Sequence, residues 1–558
     1  MEQGRLLRRA LQGADGEVSL RTFLAAAALF AAPLAFAQTA PAQLPPEQAA
    51  LKAHVQFLAS DALRGREAGT RDYDVAAEYV ASEMLRLGLQ PGAEGNSWFQ
   101  PFKLIGYKPA EKAKWSLVRG SAEIPLQFGI DFVNTPAPAT PDFKAEGGIV
   151  FAGYGIVYPE GKRDDFKGLD VKGKIVAILA GVPKGLPNAV EAHFSDDEQK
   201  ALIAQQKGAV AVIVLETLAQ REQFPFETFA SFYDYERSGW ARPDGTAFAT
   251  AAGAPPVGYI GAAGAEKLFQ GSKIKWAEVL AAERKATRVP TGALVGTLKV
   301  ASKTKIVTQM TRSVVGLIPG SDPTLKDQYV VLSAHLDHVG IGDPVNGDRI
   351  YNGAMDNAIG VSTMLEVARK FIASGERPKR SMLFVALAAE EKGLIGSDYF
   401  AHYPPVPKDK LVADVNMDMP ILTYPLVDLV ALGGERSSLG PVIAAAAASE
   451  GLKIVPDPAP EEMFFVRSDH YSFVKSGVPA VSLDTGPGGE GAVAQKKFLA
   501  ENYHKPSDQI DLPFNWDSAA KYMRVNYAVA RALTDAPERP RWNKGDFFGV
   551  QFGGYGAE

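Results

Sequence analysis

Tyr329-Val330-Val331-Leu332-Ser333-Ala334-His335-Leu336-Asp337-His338 is the stretch from which the rest of the chain is read. Its apolar and small residues, Val330 to Ala334, stop abruptly at His335. A continuous run of this kind, rich in β-branched residues, marks a strand buried on both faces of a parallel sheet. In open α/β sheets ligands bind beyond the carboxyl ends of the strands. A histidine at such an end, with a carboxylate two residues on, has the chemistry to hold a metal. It also has the chemistry to cap free backbone groups, and within this stretch the two readings stand level.

Working outward, a regular alternation runs from Ser313 onward. Strands are expected over 329–334, 382–387, 411–415, 426–432 and 480–483, and helices over 360–373, 393–400, 439–449, 471–475 and 518–533. Strands alternating with helices predict an α/β fold, a mixed and mostly parallel sheet with helices on both faces. Between about Glu123 and Val300 short strand-like runs alternate with Gly and Pro turns, which predicts a β-rich module. It holds one histidine, His193, and no clustered acids at strand ends. The Gly-rich stretch Gly486–Gly491 lacks the Lys-Ser/Thr ending of a phosphate loop. No helix is expected after it, so it reads as a mobile loop beside the site. The segment from Arg539 onward, rich in Gly, Phe and Trp, has no assignable pattern.

Composition narrows the function. With 558 residues, 46% hydrophobic and 22% charged, the chain is expected to be globular with more than one domain. A formal net charge of -5 offers no basic footprint for nucleic acid. There is no cysteine, so disulfides, thiolate zinc sites and a cysteine nucleophile are excluded. Any metal must rest on His, Asp or Glu. The N-terminus has the marks of an export signal: Arg5, Arg8, Arg9 and Arg21, then an apolar run from Phe23 to Leu34 that is too short to span a bilayer, then Ala35-Phe36-Ala37. Cleavage after Ala37 and a periplasmic or secreted protein are expected. No later run is long enough for stable membrane insertion.

Four further segments place acids or a histidine where a predicted strand ends or a loop turns. Asp356 precedes the helix expected near Gly360, where by itself an N-cap is the simpler reading. Glu390 and Glu391 follow the apolar run 382–387. Two adjacent glutamates at a buried strand end repel and lose hydration unless a cation offsets them. Asp418 ends another apolar run between two methionines. His504 lies in a loop, preceded by Tyr503. Together they supply nitrogen and oxygen ligands, a set that suits zinc.

The order His-x-Asp (335–337), Gly-x-x-Asp-Asn (353–357), Glu-Glu-x-Gly-Leu-x-Gly-Ser (390–397), Asn-x-Asp-Met (416–419) and Tyr-His (503–504) resembles the co-catalytic di-zinc aminopeptidases of clan MH, the zinc exopeptidases. Phe57-Leu58-Ala59-Ser60-Asp61-Ala62-Leu63-Arg64-Gly65-Arg66 also resembles the opening segment of that family's domain. Gly153-Tyr154-Gly155-Ile156 and Leu169-Asp170-Val171-Lys172-Gly173-Lys174 resemble a protease-associated domain. With the export signal over 1–37, a linker rich in Ala, Pro and Gln over 38–47 and the unassigned tail over 538–558, the resemblance implies a discontinuous peptidase domain over 48–125 and 300–537 and an inserted module over 126–299.

It also implies two Zn2+ ions and peptide substrates. Asp356 would bridge the ions, with His335 and Asp418 on one and Glu391 and His504 on the other. Glu390 would be the general base, Asp337 would orient the His335 ring, and Tyr503 would donate to the oxyanion. Arg467 would either touch the substrate or form a structural ion pair.

Met355, Ile359 and Met419-Pro420 depart from the family pattern around the bridging acid and Asp418, and bear on pocket shape. His54, His193, His338, His402 and His470 are expected to be structural. Besides an aminopeptidase, the residues allow a carboxypeptidase or dipeptidase, a glutaminyl cyclase-like acyltransferase using one zinc, and a non-catalytic receptor-like protein, which would be expected to have lost ligands.

Overall fold

The alternation of residues along the central strand sets the layers of the molecule. In the computed structural model, which describes residues 43–558, Tyr329–His335 is a strand of seven residues. Val330, Leu332 and Ala334 enter one hydrophobic core, and Val331 enters another on the opposite face. The neighbouring strand Ser381–Leu387 divides the same way, with Met382, Phe384 and Ala386 on one side and Leu383, Val385 and Leu387 on the other. A strand buried on both faces must be apolar at successive positions, which is why the run is continuous.

Seven strands are labelled in chain order: β1 (Phe99–Pro109), β2 (Gly292–Ile318), β3 (Tyr329–His335), β4 (Ser381–Leu387), β5 (Leu411–Asn416), β6 (Asp428–Leu432) and β7 (Ala480–Thr485). Across the sheet they run β1-β2-β4-β3-β5-β7-β6. The pairs β4–β3, β3–β5 and β5–β7 are parallel, while β1–β2, β2–β4 and β7–β6 are antiparallel. The parallel strands therefore send their carboxyl ends to the same edge. Helices Pro46–Leu58, Arg71–Leu87, Ile359–Ala373 and Trp516–Asp535 bury Val55, Val80, Met364 and Val529 against the face that carries Val330 and Leu332. Arg71–Leu87 is closed by Thr70, whose hydroxyl accepts from Tyr73 N, and by Gly88 at φ 94°, a left-handed position that suits glycine.

A second sheet contains Trp115–Arg119, Asp142–Phe151, Ile175–Leu179, Ala211–Leu215 and Pro256–Ile260. The 27-residue strand β2 belongs to both sheets. Its first half pairs with Asp142–Phe151, and the second half pairs with β1 and β4. The expected boundary near residue 300 thus falls inside one strand, and Pro46–Glu558 forms one compact unit. Arg237–Ala241 also pairs with β1.

Several expectations shift. The peptidase domain expected from residue 48 opens with a helix that starts at Pro46, where proline's missing N–H and fixed φ suit a first helical position, so the linker is shorter than 38–47. A helix, Gly491–Glu501, does follow the Gly-rich stretch. It buries only Gly491 and Phe498, so its sequence carries no strong period. The stretch itself is held in place, with Gly486 N donating to Asp428 O and Gly488 N to the Asp428 carboxylate. The tail also has structure. Trp542 donates its indole N–H to Gly477 O at 2.8 Å, and the short helix Phe547–Gln551 buries Phe547 and Phe548 in the second core. The predicted signal peptide, residues 1–37, lies outside the described residues. No helix among the described residues is long and apolar enough to cross a membrane.

Candidate active site

Three parallel strands deliver the first residues of the site. His335 is the last residue of β3, Glu390 and Glu391 follow β4, and Asp418 follows β5. Asp356 lies in a turn ahead of the helix Ile359–Ala373, and His504 in the loop after Gly491–Glu501. Asp356 does not cap the helix. Its Oδ1 lies 3.1 Å from His335 Nε2, and its Oδ2 lies 3.3 Å from His504 Nε2. His335 Nε2 is also 3.0 Å from Asp418 Oδ1, and His504 Nε2 is 2.9 Å from Glu391 Oε2. One carboxylate therefore faces two histidine–carboxylate pairs, one with each oxygen.

The loops are locked by their own polar groups. The Asp508 carboxylate accepts from Met355 N at 2.8 Å and Asp356 N at 3.0 Å. Asn357 accepts from Gly360 N and Met419 N and donates to Met417 O, tying the Asp356 turn to the Asp418 loop. A Cβ on Gly360 would collide with Asn357 Oδ1 and Met417 O, so this close approach requires glycine. Arg66 is fully buried. Its guanidinium donates to Leu336 O, Leu58 O, Asn352 O and Gly353 O, pinning the loops on either side of His338 and Asp356. Ser468 donates to Asp418 Oδ2 at 2.5 Å and accepts from Asn416 Nδ2 at 2.6 Å.

Electrostatics separates the two adjacent glutamates. Burial, followed by the charges of Asp418, Glu391 and Asp469, pushes Glu390 well above the usual carboxyl range, with His335 opposing. Glu391 is held down at about 2: burial and Asp356 oppose the shift, but His338 and His504 outweigh them. Asp356 is likewise well below its ordinary value, its burial outweighed by hydrogen bonds with His335 and His504. His504 rises to about 10 against its burial through Asp356 and Glu391.

Two sequence expectations change here, for Asp337 and His338. The Asp337 carboxylate does not orient His335. It accepts from Glu390 N and Glu391 N, and the Asp337 main-chain carbonyl lies 3.1 Å from His335 Nδ1. With its carboxylate already taken by the β4 loop, the backbone carbonyl is the acceptor left for the ring. Arg467 lines the same cavity as Glu390, but it is partly exposed and lies 3.4 Å from Glu462 Oε2, so the ion-pair role expected as its alternative is present. His338 is not a structural bystander. It is buried, with Nδ1 2.6 Å from Glu391 Oε1 and 3.9 Å from Asp356 Oδ2, and neither ring nitrogen has a hydrogen-bond partner of good geometry. The repeated histidine in His335-x-Asp-His338 was the sequence signal for it. His54, His193 and His402 each have ordinary partners, in Tyr79, Tyr471 and the Asp398 carbonyl. His470 is buried against Phe465.

The donor set fits divalent metal. His335, Asp356 and Asp418 converge as one group of ligand atoms, and His338, Asp356 and Glu391 as another. Buried carboxylates this close to one another need a cation. A small cavity of 70 Å³ lies over them, lined by Glu390, Tyr503, His504, Arg467, Met419 and Asp484 among others. Tyr503 stacks on His504 at 3.9 Å between ring centroids.

Residues 313–530, which carry all of these strand ends and loops, match the model of peptidase family M28. They form a peptidase family M28 domain. Outside the M28 segment the family model does not extend. Similar curated proteins include a probable zinc metalloprotease of Pyrenophora teres f. teres, 34% identical over 107 residues, or 19% of this chain and 22% of that protein. Leucine aminopeptidase 2 of Trichophyton rubrum is 28% identical over 286 residues, 47% of this chain and 53% of that protein. A probable glutamate carboxypeptidase of Arthroderma benhamiae is 30% identical over 211 residues, 34% and 26% respectively. The chain thus spans between about a fifth and a half of the length of these relatives. Among solved structures, an aminopeptidase from Aneurinibacillus sp. strain AM-1 is 20% identical over 88% of this chain and 95% of that one, at a TM-score of 0.44.

Proposed function

We propose that this chain is an exported two-zinc aminopeptidase that removes N-terminal residues from peptides. The observation that carries this reading is Asp356, whose two oxygens face two separate histidine–carboxylate pairs with Glu390 beside them. His335 and Asp418 would hold one ion, Glu391 and His504 the other, and Asp356 both. When bound, zinc supplies a water whose pKa is lowered to roughly 7 and a polarised scissile carbonyl. Glu390 takes the proton from the attacking water and delivers it to the amine as the C–N bond breaks. Its burial, the first cause of its raised pKa, suits both halves of that transfer. Burial holds the Tyr503 hydroxyl well above its ordinary pKa, so it stays a donor for the oxyanion.

The charge around the cavity favours a substrate's ammonium end over its carboxylate end. Glu390, Asp418 and Asp484 line it against a single Arg467, and that arginine is already paired with Glu462. A carboxypeptidase needs a free cation there. The module over 126–299, read as protease-associated, contributes Pro187, Asn188, Ala189 and Ala192 to a larger neighbouring cavity and would shape access for longer peptides. Metal analysis after dialysis should give close to two divalent ions per chain, with activity on aminoacyl reporters and none on C-terminal reporters. A fully active protein with one ion, or C-terminal activity alone, would sink this reading.

A further inference from the structure

Two larger cavities open beside the small catalytic one, sharing Leu432 and Phe464 with it, and they differ in charge. The first, of 690 Å³, is mostly apolar. Its only base, Arg436, is bound to Asp546 at 3.1 Å and flanked by Phe465 and Phe548. The second, of 580 Å³, shares one more residue with the catalytic cavity, Asp484. Strand geometry explains that placement. In the antiparallel pair β6–β7, Val430 is registered with Asp484 and Leu432 with Ser482. The two-residue period puts Ser482 and Asp484 on one face, the face that lines the catalytic cavity.

Asp484 is a carboxylate in apolar company. Val430, Leu432 and Phe464 share its cavity, and aliphatic walls continue through Pro487 and Leu499. Its Oδ1 accepts from Thr485 N at 2.6 Å, and among the described residues it has no ion pair. Burial, with the charges of Asp418 and Asp457 adding to it, raises its pKa to about 7. An acid set among apolar side chains without a cation carries a desolvation cost that a cationic ligand would offset. The other charges of this cavity are Asp457, Glu461 and Glu462 against Lys496, so its field favours a cation and repels an acid.

We infer that Asp484 and the 580 Å³ cavity behind it form a subsite for a basic side chain, lysine or arginine, on the substrate's first residue. The inference rests on the aminopeptidase reading and deepens it. The aliphatic stem of such a side chain would lie along Val430, Leu432 and Phe464, and its charged end would meet the Asp484 carboxylate.

The test compares kcat/KM on lysyl-, arginyl-, leucyl- and glutamyl-p-nitroanilide for the zinc-loaded full chain. The wild type should favour lysyl and arginyl over leucyl, with glutamyl poorest. Asp484→Asn should lower the lysyl-to-leucyl ratio by about 10- to 100-fold, the scale of one charge-assisted hydrogen bond. Asp484→Lys should raise the glutamyl-to-lysyl ratio. A wild type that favours leucyl overturns the inference without any variant, and so does an Asn variant that lowers lysyl and leucyl rates equally. Absence of activity on all four reporters in a two-metal protein would instead overturn the aminopeptidase reading.

Discussion

Glu390 and Glu391 leave β4 side by side, and their surroundings assign them different chemistry. Glu391 Oε2 faces His504 and its Oε1 faces His338, so Glu391→Gln should weaken binding of one metal and lower activity through that loss. Glu390 has no histidine at hydrogen-bond distance. Glu390→Gln should keep both metals and lower kcat by about 10²–10⁴-fold with little change in KM, because an amide cannot accept the proton. Near-normal kcat with two metals bound would remove Glu390 from the mechanism. Outside this centre, His193 sits among Phe194, Phe547 and Phe548, its Nδ1 2.6 Å from Tyr471 Oη, and burial lowers its pKa to about 3. The unfolded chain protonates this side chain below about 6.5, whereas the folded chain refuses the proton until near 3. Its contribution to stability is therefore fully present above pH 6.5 and is lost as pH falls, at a slope of about 1.4 kcal/mol per unit. His193→Gln should flatten that slope in chemical denaturation between pH 6.5 and 4. Parallel slopes for the two proteins would show that His193 is free to ionise in the fold.

At the scale of elements, the parallel register of β4, β3 and β5 brings His335, Glu391 and Asp418 to one edge, but loops set the final positions. The Asp356 turn is held by Asp508 through two main-chain N–H groups. Asp508→Asn leaves one of these donors without an acceptor, so metal affinity should fall by about 10- to 100-fold, the usual effect of removing a group that orients a ligand. Unchanged affinity in a chelator competition would mean that Asn357 and Arg66 hold the turn by themselves. That Asp508 and Arg66 do this work is not visible in their local sequence. Each acts across more than 150 residues of chain, on backbone groups that no pattern encodes. The acid ending β7, by contrast, repeats the signature of Asp418, an apolar strand closed by Asp.

Over the whole molecule, the C-terminal segment is a wedge between the M28 domain and the preceding module. Phe548 touches His193 on one side and Phe465 and Tyr471 on the other, and Trp542 is anchored on Gly477. Trp542→Ala should cost about 3–5 kcal/mol of stability, the usual loss for a buried aromatic. It should also raise KM, because the loop carrying Phe464 and Arg467 rests on the same core. A thermal midpoint equal to that of the wild type would show that the segment is only draped on the surface.

The continuous apolar run Val330–Ala334 needed no neighbours to declare a strand buried on both faces, because burial on two faces removes alternation. The acids and histidines after such strands declared a nitrogen and oxygen ligand set by residue type, but it was the resemblance of their order to the di-zinc aminopeptidases that implied the gathering of His335, Asp356, Glu390, Glu391, Asp418 and His504. The tertiary structure alone decided what depends on distance in space. It turned His338 into the centre, gave the Asp337 carboxylate to the β4 loop, placed Asp484 between two cavities, and ran β2 through both sheets. Each of these follows from which distant segment packs alongside, and side-chain burial, not sequence period, determines that.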